Sequence, residues 1–72
     1  RLPLYYQLYD IIVDKIESGI YNENDKLPSE RELCEEYDIS RATVRRAMVE
    51  LEKTDYIYKK QGKGDFINSY FS

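Results

Sequence analysis

Between Leu27 and Arg46, in the stretch LPSERELCEEYDISRATVRR, stand four arginines, two serines and a threonine whose spacing suits the recognition of a polyanion. Arginine presents a planar fork that matches O6 and N7 of guanine, and one good bidentate pair carries ~1 to 3 kcal/mol of discrimination between bases. Ser29, Ser40 and Thr43 fall where helices begin, and there hydroxyls and unpaired backbone N–H groups can hold phosphate oxygens. The same serines have a plainer role as helix caps. Ser29 with Glu32 three residues on spells a capping box, and Ser40 opens a second helical pattern. Tyr37-Asp38-Ile39 closes one helix and opens the next, the spacing of a helix-turn-helix, whose second helix enters the major groove of DNA.

The elements that must hold these residues follow from apolar periodicity. Tyr5, Leu8, Tyr9, Ile12, Val13 and Ile16 recur at three- and four-residue intervals after Pro3 and before Gly19, which predicts helix 1 over Leu4 to Ser18. Lys26-Leu27 is expected to be a short extended segment, because a proline follows it. Helix 2, Glu30 to Tyr37, puts Leu33, Cys34 and Tyr37 on one face. Helix 3, Arg41 to Thr54, buries Val44, Ala47, Met48 and Leu51 and turns Ala42, Arg45, Arg46 and Val49 outward. After Asp55 the period falls to two: Tyr56 to Lys60 and Asp65 to Asn68 read as strands joined by Gln61-Gly62-Lys63-Gly64. The expected fold is α+β, a winged helix-turn-helix of three helices followed by a two-stranded β-hairpin wing. It occupies residues 1–68, with 69–72 as the start of a linker on which Tyr70 and Phe71 await a neighbour to pack on. The chain begins at Arg1 without methionine, so it reads as part of a longer protein.

At 72 residues the chain supports one small core. One cysteine, Cys34, and no histidine or tryptophan remove the usual routes to a metal cluster, a disulfide framework or a histidine-based triad. Cys34 itself reads as a core thiol. No apolar run approaches the ~20 residues of a membrane span and no leader pattern is present, so a cytoplasmic setting is expected. The net charge of −3 conceals a division of the chain. Residues 1–39 carry four basic and ten acidic side chains, whereas 40–64 carry seven basic and three acidic. A domain that offers one basic face to a polyanion has this layout, as do many highly charged small domains.

Four blocks of residues resemble the winged helix-turn-helix of GntR-type bacterial transcription regulators: Pro3-Leu4-Tyr5 with Gln7; Leu27 to Leu33; Ile39-Ser40-Arg41 with Thr43-Val44-Arg45; and Gly62-Lys63-Gly64 with Phe66-Ile67. The opening block is similar to the HutC-type branch. The resemblance implies sequence-specific binding of double-stranded DNA, with Arg31, Arg41 and Arg45 reaching bases or adjacent phosphates. It also implies a homodimer in the full-length protein reading a near-palindromic operator, usually as a repressor. No cofactor is expected in this chain; a small-molecule effector would bind a C-terminal domain beyond it.

Ser29, Ser40 and Thr43 join the expected DNA-binding set, Thr43 as the more direct contact. In the wing, Gly62 and Gly64 would let the backbone approach the sugar-phosphate edge, and Lys59, Lys60 and Lys63 would add sequence-blind charge. Arg46 either adds to that charge or pairs with Glu50 at i+4. Two departures from the family stand out. Asp65 replaces a hydroxyl residue near the expected phosphate path, and Asp55 takes a turn that glycine normally makes, which aspartate tolerates. Two rival functions remain at the level of sequence. Winged helices also serve as protein-interaction modules, a use that eight tyrosines would suit. An enzyme built on fourteen carboxylates lacks a histidine and a glycine-rich nucleotide loop opening a helix.

Overall fold

A computed structural model describes residues 2–69. The order is α1 (Leu4–Glu17), α2 (Glu30–Tyr37), α3 (Arg41–Lys53), β1 (Ile57–Lys60) and β2 (Gly64–Ile67). Helix α1 ends one residue earlier than its pattern implies. Ser18 is the cap, and Gly19 at φ 85° lets the N–H groups of Ile20 and Tyr21 turn back to the Lys15 carbonyl. Tyr70 and Phe71, expected to pack on a neighbour, lie outside the described residues.

Both helices of the reading unit start on the serines that announced them. Ser29 Oγ accepts the N–H of Glu32 at 3.1 Å, and Glu32 Oε1 accepts the N–H of Ser29 at 2.8 Å, completing the capping box. The Ser29 backbone N–H first, and the Ser29 hydroxyl after it, hold the Glu32 carboxyl below the ordinary carboxylate pKa. Ser40 Oγ caps α3 through the N–H of Thr43. The turn between them rests on Asp38, whose left-handed φ of 53° reverses the chain in one residue. Asp55, at φ 63°, takes the left-handed turn after α3 as its sequence position requires.

The strands pair antiparallel, Ile57 with Ile67 through Lys60 with Gly64. The segment before Pro28 adds a third rung on the far side of β2. Lys26 bridges Phe66, the Leu27 N–H donates to the Asp65 carbonyl at 2.9 Å, and the Asn24 N–H donates to the Ile67 carbonyl at 2.9 Å. This extra pairing covers the outer edge of β2 and ties the wing to the lead-in of α2.

Leu8, Ile12 and Ile16 from α1, Leu33 from α2, and Val44, Ala47, Met48 and Leu51 from α3 form one core with Leu27, Ile57 and Ile67. Val44, Ala47 and Leu51 are fully shielded, so α3 is clamped along its inner face and its outer face is fixed in orientation. Cys34, Tyr5, Tyr9 and Tyr37 pack half-buried around that core. Lys15 fastens α1 to α2 by donating to Tyr37 Oη at 3.1 Å.

Candidate nucleic-acid interface

The outer face of α3 carries Arg41, Ala42, Arg45, Arg46 and Val49, all exposed. Two arginines lean one way and the third leans the other. Arg45 Nε lies 3.2 Å from both carboxylate oxygens of Glu30, and Arg41 Nε lies 3.4 Å from Glu30 Oε1. Glu30, at the first position of α2, is therefore a shared anchor for two side chains of α3. It engages both through Nε, and the two side chains still stand well over half exposed, which leaves their guanidinium forks accessible to a partner. Nothing local in the sequence marks Glu30 for this role, because the contact with Arg45 spans 15 residues.

Arg46 settles on the opposite flank. Its guanidinium lies 4.0 Å from the centre of the Tyr5 ring and its Nη2 donates to Tyr5 Oη at 3.4 Å. The i+4 pair with Glu50 that the sequence offered is replaced: Glu50 instead pairs with Lys53 at 3.6 Å. The packing of α1 on α3 brings the Tyr5 ring alongside, and the planar cation rests on that face in place of the carboxylate on its own helix.

Arg31 is 84 % exposed, with Glu35 Oε2 3.5 Å from its Nε. Thr43 is half-buried, and its hydroxyl lies 2.8 Å from Ser40 Oγ. One proton serves that bond, so the other hydroxyl of the pair keeps a donor for an outside acceptor. Ser29 and Ser40 both act as caps, which accounts for their presence without a ligand.

The wing brings further charge alongside. Lys63 stands exposed at the tip of the turn, where Gly62 adopts φ 77° in open space. Gly64, at φ 119°, has a more specific need for its missing side chain: a Cβ there would stand 3.0 Å from Lys26 Cε. Within the domain, the close approach that Gly64 permits is to the Lys26 side chain. A cleft between the starts of α2 and α3 and the wing is lined by Lys26, Arg31, Arg41, Lys59 and Lys63, with Glu30 and Asp65 as its acids. Lys60 turns aside, its Nζ 5.1 Å from the centre of the Phe66 ring. Asp65 does not face outward as a substitute for a hydroxyl. Its side chain is 19 % exposed and lies 3.9 Å from Lys59 Nζ. Burial pushes its carboxyl above the ordinary pKa; Lys59 opposes that shift while Glu52 and Glu30 add to it.

Among the described residues no group of side chains could hold a metal ion, and no helix is long and apolar enough to cross a membrane. The arrangement offers positively charged forks on a rigid helix beside a charged hairpin, a surface suited to a groove and its phosphates.

Comparison with known proteins points the same way. Among curated relatives, the chain is 49 % identical over 67 residues to the uncharacterized HTH-type transcriptional regulator YurK of Bacillus subtilis, covering 93 % of this chain and 28 % of that protein. It is 43 % identical over 67 residues to the arabinose metabolism transcriptional repressor of Geobacillus stearothermophilus, covering 93 % of this chain and 18 % of the repressor. The chain thus spans little more than a quarter of the first relative and less than a fifth of the second. Among solved structures, a GntR family transcriptional regulator from Listeria monocytogenes superposes with a TM-score of 0.91 at 37 % identity, covering 94 % of this chain and 60 % of that one. The DNA-binding domain of AraR in complex with operator ORR3 superposes with a TM-score of 0.89 at 34 % identity, covering 93 % and 81 %. The family described as bacterial regulatory proteins, gntR family, matches residues 4–67, and the chain, with its three helices and wing, belongs to that family.

Proposed function

We propose that the chain is a sequence-specific reader of double-stranded DNA, the DNA-binding part of a transcription regulator rather than an enzyme. The observation that carries this reading is the row Arg41, Arg45 and Arg46 on the exposed face of a helix whose opposite face is sealed in the core. Arg41 and Arg45, anchored by Glu30, read base edges. Arg31, Arg46, Ser29, Ser40 and Thr43 meet the backbone, and Gly62 and Lys63 carry the wing tip along the sugar-phosphate edge.

The solved AraR domain with its operator DNA supports this placement by its likeness. In the cytoplasm the full-length protein would bind as a homodimer, each copy of this domain on one half of a near-palindromic operator. A small molecule on a further domain would set the spacing of the two heads. Repression as the outcome is supported by the relative from Geobacillus stearothermophilus, a repressor by name. The Pro3-Leu4-Tyr5 opening supports a HutC-type place within the family.

The test is binding to a cognate promoter duplex. Affinity should fall steeply with added salt, and Arg45→Ala should abolish the preference for cognate over random duplex. Salt-independent binding, or an Arg45→Ala variant that discriminates as well as the parent, would overturn the reading.

A further inference from the structure

On the reading face of α3 the charged side chains leave a gap. Arg41 and Arg45 are drawn to one side by Glu30, and Arg46 is drawn to the other by Tyr5. Between them Ala42 and Val49 are exposed, Val49 to 47 %, seven residues and so about two turns apart on one face. An exposed valine in mid-helix contributes nothing to the core and has a lower helix propensity than alanine.

We propose that Ala42 and Val49 are specificity-determining residues that read the 5-methyl groups of thymines; the proposal rests on the DNA-binding reading above. The methyl of thymine is the apolar group that the major-groove code presents, and small apolar side chains are its partners there. Ala42 lies in the first turn of α3, the part of such a helix that contacts base edges, and has no long side chain to hold the base away. Seven helical residues span about 10 Å, which projects onto at most about three base-pair steps for a helix inclined in the groove, so the two methyls should lie about two to three steps apart. The flanking arginines make this contact directional. They place guanine contacts and backbone contacts on either side of an apolar strip that neither can fill.

The experiment selects a preferred duplex for the 72-residue chain from a randomised library at low salt, then replaces each thymine singly by deoxyuridine, which lacks the methyl. Two positions no more than about three steps apart should each weaken binding about fourfold, the worth of one buried methyl group. Ala42→Gly should erase the penalty at one position and Val49→Ala at the other, with far-UV circular dichroism confirming that both variants fold. Val49→Ala, which improves helix propensity, keeps the test valid if the glycine variant fails to fold. Deoxyuridine tolerated everywhere by a chain that still prefers the selected duplex to scrambled DNA would overturn the proposal alone. So would penalties that persist unchanged in the folded variants. Recovery of no preferred duplex would overturn the DNA-binding reading and this inference with it.

Discussion

Glu30→Gln isolates what the shared carboxylate contributes. The substitution keeps the length and shape of the side chain and removes the charge that lies 3.2 Å from Arg45 Nε and 3.4 Å from Arg41 Nε. Both arginines are well over half exposed, at 67 % and 63 %, so each pair contributes at most about 1 kcal/mol to folding and the variant should remain folded. The larger effect falls on recognition. Ordering a rotamer-rich side chain on binding costs ~0.5 to 1.5 kcal/mol, and Glu30 has met that cost in advance for two forks. Losing it should reduce discrimination between operator and scrambled duplex by ~2 kcal/mol, or about thirtyfold. Binding to scrambled duplex should instead hold steady or tighten, because an acid beside the phosphate path has gone. Fluorescence anisotropy with both duplexes at two salt concentrations separates the two effects, and a urea titration checks the fold. A variant that keeps its discrimination, or that loses affinity equally for both duplexes, would refute the idea that Glu30 positions the arginines.

Asp65→Asn should raise both thermal stability and DNA affinity at neutral pH. Burial lifts the Asp65 pKa above the ordinary 3.8, so the folded state binds the proton more tightly than the unfolded chain, and the charged carboxylate destabilises the fold once pH rises past that window. The advantage of the asparagine variant in Tm should therefore shrink as pH falls through the acid range toward 3.8; an advantage that grows on acidification would contradict the assignment. Arg46→Ala should weaken binding to operator and scrambled duplex alike and lower the salt slope by about 1, and a selective loss on operator would mean that Arg46 reads a base. Leu51, fully shielded, should cost ~2 to 5 kcal/mol when cut to alanine, enough to bring a domain of this size near unfolding in a urea titration. Ser29→Ala should cost ~1 kcal/mol through loss of the cap, measured the same way; no loss would mean that α2 is held by packing alone.

The amino-acid order by itself determined the elements and their inner faces. Ser29 with Glu32, Ser40 before Arg41, the three- and four-residue recurrence of Leu8, Ile12 and Ile16, and the change to period two after Asp55 act through capping and side-chain spacing within a few residues. Rules of that range can be read along the chain. The extended Lys26-Leu27 segment was legible too, because the proline after it restricts its geometry, but its pairing with β2 was not. Only the tertiary structure decided where the charges rest. Glu30 meets Arg41 and Arg45, Arg46 turns to Tyr5 instead of Glu50, Asp65 withdraws beside Lys59, and Lys26 lies against Gly64. Long charged side chains have several partners of similar worth within reach, so the angle at which the helices and wing pack selects among them.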